Sequence, residues 1–387
     1  MIKKPAARLR LACAALVASL GALTFAGCAT QPAAPPRPAP AEAAPAPAPL
    51  PAPTHPGLTV TAVGDMMMGT DFPENILPDD DGVGFLAAVT PLLSTADVTF
   101  GNLEGVLQDG GEPVKQCKDK RICFLFRSPT RYANYLAQAG FDVMSLANNH
   151  ARDFGEEGRS SSMAALDAVG IRHSGREGTV ASWIANGRRV ALVAFAPNVG
   201  SNSLNDPQIG LPLVTQLAAT HDIVIVSFHG GAEGNGAETL PFAREIFAGE
   251  DPGNVVEFAR AMVDAGADLV LGSGPHVVRA MELYHDRLIA YSLGNFATYY
   301  GISVDGNRGI APILQCQLDD QGRFVSGRVI ATTQVRPAGP TPDTSGAVIA
   351  LLRTLTQSAF PDGTLNIGED GTLSIQAAGA ARAATSP

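Results

Sequence analysis

From Leu58 onward, short apolar runs alternate with stretches in which apolar residues return every three or four positions. The runs 58–63 (LTVTAV), 97–101 (DVTFG), 141–146 (FDVMSL), 190–196 (VALVAFA), 222–228 (DIVIVSF), 268–272 (DLVLG) and 288–293 (LIAYSL) read as strands. The stretches 83–94, 130–139, 156–169, 253–265 and 345–358 read as amphipathic helices between and after them. Such interleaving predicts an α/β fold with helices covering a sheet. Residues 311–318 and 324–335 read instead as antiparallel strands joined by the polar turn DDQGR, so the sheets are expected to be mixed.

Both ends of the chain lack this pattern. Lys3, Lys4, Arg8 and Arg10 precede an apolar run from Leu11 to Phe25 that is short for a membrane span of roughly 20 residues. The run ends in FAGC, which resembles a bacterial lipobox with Cys28 as the lipidated residue. The expectation is a lipoprotein signal peptide over 1–28, an ordinary signal peptide being the alternative. Residues 29–57 are dominated by Pro and Ala and read as an extended spacer. Thr30 follows Ala29 where a retention signal would place Asp, so the outer membrane is favoured. A globular domain is expected over 58–337, then an extension with one helix over 338–375 and a low-complexity tail over 376–387.

Hydrophobic residues form 45% of the 387, material for one large or two modest cores. A net charge of −10 argues against nucleic acid as the main partner. Cys117 and Cys123 are spaced for a small-loop disulfide in an oxidising compartment, or stay as two thiols. Cys316 falls within an apolar strand and is expected to be buried and inert.

Chemistry-bearing residues collect where strands end: Asp65 in GDMMMG, Asn102 and Glu104 in GNLEG, and Asn148, Asn149 and His150 in ANNH. His229 and Glu233 follow in FHGGAE, His276 in GSGPH and Asn295 in GNF. Ligands of open α/β sheets bind outside the carboxyl ends of strands. Adjacent strands lie about 4.8 Å apart, so these groups are placed to share one pocket. Taken singly, each has a structural explanation as turn residue, cap or core histidine. Six strand ends carrying such groups together point to a site. Oxygen and imidazole donors without thiolate suit Mn, Fe or Zn, which would activate a water and polarise an electrophile.

In this order the segments TAVGDMMMG, GNLEG, NNHARDFGEEG, FHGGAEG, AGADLVLGSGPHVV and YSLGNF resemble the CapA family of poly-γ-glutamate capsule biosynthesis proteins, related in fold to calcineurin-like metallophosphatases. The likeness covers roughly residues 58–335 and implies a four-layer αββα sandwich. It implies metal ligation by Asp65, Asn102 or Glu104, Asn149, His229 and His276, with His150 facing substrate. Asn148, Asp153 and Glu233 join His150 as candidate catalytic residues, Asp153 either orienting His150 or capping the following helix. Met67, Asn102, Ser273 and Gly274 stand where metallophosphatases carry further ligands, so one ion or a weakly bound pair is expected. Gly230 replaces an aromatic residue and is expected to open the pocket wall.

Lys115, Lys118, Lys120, Arg121 and Arg127 cluster around the proposed disulfide loop and would guide a polyanion, or else form a solvated hairpin. The resemblance thus implies an envelope lipoprotein acting on an anionic, poly-γ-glutamate-like polymer, with capsule-synthesis membrane proteins as further partners. It is read as a metal-dependent hydrolase cutting an amide or phosphoester bond, the alternative being a non-catalytic polymer-binding, export or anchoring factor.

Overall fold

The computed structural model describes residues 54–115 and 123–376. The leader, the lipobox Cys28, nearly all of the spacer, Cys117, Lys118, Lys120, Arg121 and the tail beyond Gln376 lie outside the described residues. No helix among the described residues is long and apolar enough to cross a membrane.

Two mixed sheets form the centre. The first runs Leu365–Ile367, Thr372–Ile375, Phe324–Gln334, Ile310–Leu318, Leu58–Met67, Val98–Leu103, Val143–Ser145 and Arg172–Ser174 in spatial order. Asn295–Thr298 lies parallel to the far end of Leu58–Met67. The second runs Met281–Tyr284, Arg287–Ala290, Leu269–Ser273, Ile223–His229, Arg188–Ala196 and Ala181–Ala185. Its four inner strands are parallel, with an antiparallel strand on each flank.

Side-chain alternation builds the layers. Leu58, Val60 and Ala62 of one sheet and Val190, Leu192, Ala194, Ile223 and Ile225 of the other share one buried cluster between the sheets. The alternate residues Ala191, Val193, Phe195, Val224, Val226 and Phe228 point outward and pack under the helices Pro207–Thr220 and Val255–Asp264. Met66, Met144 and Ile313 do the same for the first sheet, beneath Tyr132–Gln138 and Gly155–Ala168. The result is the four-layer αββα sandwich with mixed sheets that the sequence predicts. Each fully buried aliphatic side chain contributes about 1.5–3 kcal/mol, so strands buried on both faces hold this centre together.

Several boundaries differ from the sequence reading, for local reasons. Regular helix is confined to Thr90–Leu93 within 83–94. Upstream, the Asp80 carboxylate accepts the Gly82 and Gly84 amides at 3.0 and 2.7 Å, a side-chain turn that competes with helix. The helix Pro207–Thr220 goes unread because Pro207, Gly210 and Pro212 lower its propensity. Pro207 sits in the first turn, where a missing N–H costs little, and Asp206 caps the Gln208 amide. His55, placed in the spacer by sequence, touches Asp97 at 3.2 Å, and Thr54 donates to Asn186 at 2.6 Å. Residues 338–375 contain the expected helix, Ala347–Ala359, whose Val348, Ile349 and Leu352 join the core between the sheets. Cys316 is buried, and burial pushes its thiol up to about 12, which leaves it unreactive.

A bulge in the central strand positions the site. Ala62 pairs with Phe100 but Asp65 with Asn102, three steps on one strand against two on the next. Gly64 sits inside this irregularity, where a Cβ would lie 1.9 Å from the Gly294 carbonyl oxygen. The glycine lets the chain carrying Asn295 cross there, and the Asp65 amide donates to Gly294 O at 2.8 Å.

Candidate functional site

Asp65 is flanked in register by Asn102 on one neighbouring strand and Asn295 on the other. From the second sheet come His229, which pairs with Ser273, and His276, just past the end of that strand. His276 has φ +58, a backbone conformation that is sparsely populated away from glycine. That turn aims its Nδ1 at Asp65 Oδ2, 3.2 Å away, and at Asn295 Oδ1, 2.9 Å away. Its Nε2 lies 3.6 Å from Glu104 and 3.9 Å from Glu233. His229 is 3.8 Å from Asp65 and 4.0 Å from Glu104.

Asp65, Glu104 and His276 each offer a ligand atom, all within 4.8 Å of one another. Both Glu104 oxygens are buried and lack a hydrogen-bond partner among the described residues. Taking an ionised carboxylate out of water costs several kcal/mol unless something pairs with it. Burial accordingly pushes Glu104 well above the ordinary carboxylate range, with His276 opposing and Asp65 and Glu233 adding to the rise. Burial also works against the charges of Asp65 and His276, but the opposite charges around each outweigh it. Asp65 is held below its usual value, and His276 is driven up to about 10 by Glu104, Asp65 and Glu233. His229 is lowered to about 4 by burial and stays neutral at pH 7. Carboxylates in excess over cations, with unpartnered oxygens beside imidazoles, fit a divalent ion.

The predicted residues then separate by what their atoms do. Asn102 donates to Asp65 Oδ1 at 2.8 Å and accepts from Asn148 at 3.3 Å, so its amide braces the cluster. Asn148 also donates to Leu103 O at 2.8 Å and accepts the His150 amide at 3.1 Å, which fixes the turn. The buried Asn149 Oδ1 has no partner among the described residues, and Asn149 lines the cleft. His150 Nδ1 meets Asp153 Oδ2 at 2.7 Å, and its ring lies tilted against Phe126 at 4.1 Å between centroids. Burial lowers His150, and Asp153 only partly restores it. Of the two roles open to Asp153, the structure shows orientation: the following helix begins after Phe154 with no side-chain cap. Glu233 stands on the cleft wall, partly buried, and burial raises its carboxyl.

Two expectations are corrected. Gly230 does not open the wall, because a Cβ there would meet Pro252 O at 2.8 Å and Leu204 at 2.9 Å; these neighbours already fill the space. Arg127 is not free to attract a polymer. It is buried, donates to Asp71 at 2.6 Å and to Gly111 O at 2.7 Å, and lies against the Phe72 and Phe154 rings. Lys115 reaches Asp153 Oδ1 at 3.1 Å, so it belongs to the His150 pair.

Other participants carry weak sequence signals. Asn295 holds His276 and is itself anchored to Ser303 O and Arg308 O, both at 3.2 Å. Ser273, read from the sequence as the loss of a further ligand, contacts His229 Nδ1 at 3.2 Å. Arg279 is fully buried and grips Glu245 through two bonds of 2.8 Å while donating to Ala232 O and Ala237 O, which fixes the loop bearing Glu233. The site opens into a cavity of about 370 Å³ that adjoins a second of about 350 Å³.

Fold and site thus define a four-layer sandwich with a metal-ready cleft at one rim. A family model for the bacterial capsule synthesis protein PGA_cap matches residues 59–300, and the chain belongs to that family. It is 29% identical over 310 residues to the capsule biosynthesis protein CapA of Bacillus anthracis, covering 74% of this chain and 70% of that one. It is likewise 29% identical over 256 residues to the PGA biosynthesis protein CapA of Bacillus subtilis (strain 168), covering 62% of this chain and 63% of that one. A solved 5'-nucleotidase precursor from Thermus thermophilus aligns at 15% identity with a TM-score of 0.38, covering 76% of this chain and 58% of that chain.

Proposed function

We propose that this protein is an envelope-anchored hydrolase that cuts an amide or phosphoester bond in an anionic, poly-γ-glutamate-like polymer. The observation that carries the reading is Glu104, whose two buried oxygens have no hydrogen-bond partner among the described residues and whose Oε1 faces His276 beside Asp65. Mn, Fe or Zn would be held by Asp65, Glu104 and His276, with His229 and Asn149 completing the set. Bound there, an ion would supply Lewis-acid activation of water and neutralise developing charge. His150, oriented by Asp153 and walled by Phe126, would hold a proton or stabilise charge on the substrate side. The Asn148 turn keeps that imidazole in place, and Glu233 limits one side of the cleft. Family membership supports a role in capsule or polyglutamate synthesis. Lipidation at Cys28 and a periplasm-facing location on the outer membrane belong to the same proposal.

The test is metal analysis of full-length protein purified without chelator, combined with poly-γ-glutamate chain length before and after incubation. Near-stoichiometric metal and shortened polymer are expected, both lost in Asp65→Asn. Metal-free wild type that leaves polymer intact would overturn the hydrolase. A non-catalytic polymer binder has one observation in its favour: His276 lies 3.2 Å from Asp65 and 3.6 Å from Glu104, so a charged imidazole would itself offset part of the carboxylate charge.

A further inference from the structure

We propose that the far end of the cleft is an oxyanion subsite in which Arg159 and Arg152 grip an anionic group of the polymer away from the reacting bond. The inference rests on the reading that the Asp65 cluster acts on such a polymer. The two cavities share Asn149, Asn198, Val199 and Glu250, so they join along one wall. His229 and Glu233 line the first; Arg152 and Arg159 line the second.

Charge at the second cavity is unbalanced. Arg152, Arg159 and Arg176 surround a single carboxylate, Glu156, at 2.8, 3.9 and 3.1 Å. Glu250 at the shared lip offsets part of the remainder, and Lys115 is engaged by Asp153. The Arg159 side chain is 1% exposed, yet its Nε has no hydrogen-bond partner among the described residues. Its Nη1 donates to Gly200 O. Burial, with Arg152 and Arg176 nearby, disfavours its charge.

Arg279 shows what a purely structural arginine looks like in this fold. It is equally buried, but a bidentate carboxylate and two carbonyls satisfy it. Desolvating a guanidinium without such partners costs several kcal/mol, and an incoming oxyanion would relieve that cost. The planar fork suits a carboxylate or a phosphate, the repeating groups of two polymer classes. An arginine site beside an acidic, metal-ready one would hold a polyanion by its pendant charge while the adjoining bond meets the cluster.

The experiment measures affinity of the metal-loaded full chain for oligo-γ-glutamate, inorganic polyphosphate and neutral dextran at one ionic strength. Arg152→Glu and Arg159→Gln are each expected to weaken the preferred anionic probe about tenfold, leaving bound metal unchanged. The preferred probe distinguishes carboxylate from phosphate. Since Arg159 is buried, Arg152→Glu at the surface carries the test if Arg159→Gln fails to fold. Affinities within about twofold of wild type, or wild type that binds no anionic probe more tightly than dextran, overturn the subsite. Arginine-dependent binding by a metal-free wild type would sink the hydrolase and leave the subsite standing. Metal retention with arginine-independent binding would do the reverse.

Discussion

The strands of this sandwich carry acidic residues at both ends, with opposite fates. At the amino ends, Asp97, Asp142, Asp222 and Asp268 each accept the backbone N–H of a neighbouring strand. The donors are Thr59, Thr99, Arg189 and Val224, every bond being 2.8 Å. A parallel strand starts with an amide that the ladder has not yet paired, and a carboxylate one strand over supplies the missing acceptor. At the carboxyl ends, Asp65 meets histidines and an asparagine amide, and Glu104 accepts no hydrogen bond from any described residue, with His276 Nε2 3.6 Å away. The same side-chain chemistry is structural where backbone donors are at hand and left available to a ligand where they are withheld.

The sharpest way to break the comparison is Glu104→Gln. Affinity for Mn or Zn should fall by more than the roughly 10- to 100-fold that loss of an outer-shell partner costs. The melting temperature of the ion-free protein should change little, because the lost carboxylate accepts no hydrogen bond and its attraction to His276, 3.6 Å away, is opposed by its own burial. Titration calorimetry and a thermal melt check both halves, and unchanged metal affinity would equate the two rims.

Asp268 gives an intermediate effect of another kind. Burial pushes it from 3.8 up to about 6, against the bonds from Val224 and Arg287. Between those values the folded chain holds a proton that the unfolded chain has lost, so this group's contribution to stability is present below pH 3.8 and lost as pH rises through about 6. Asp268→Asn removes the titration. The stability of that variant relative to wild type should climb across this window by at most about 3 kcal/mol, then level off. Parallel urea-melt profiles for the two proteins would refute the assignment.

Asp222→Asn should do least. Its pairing with Arg189 is at the surface, and salt screens such pairs. A small drop in melting temperature that shrinks at high ionic strength is expected; a large, salt-independent drop would place Asp222 with the buried acids.

Much of this was legible in the chain. Seven apolar runs marked strands because burial on both faces demands continuous hydrophobicity. The polar strand ends stood out because residues such as Asn148, Asn149 and His150 do not belong in a core. An edge strand and a short inner one were missed. Ala181–Ala185 exposes every second residue, and Asn295–Thr298 spans only four, too few for a periodicity. Within the site, Arg127 looked like a surface cation because sequence carries charge but not the Asp71 carboxylate that neutralises it. Arg152 and Arg159 drew no notice, being in one dimension an ordinary turn residue and an ordinary helix-face residue.

By itself the sequence determined the layered α/β architecture, the family and the residue types at the strand ends. Each follows from local pattern, which is written in consecutive positions. Only the tertiary structure decided which of those residues are already satisfied. Asn102 and Asn148 use their amides on neighbours, whereas Glu104 and Arg159 retain unpartnered buried atoms. That division depends on donors and acceptors brought together from distant segments, and on water being excluded around them.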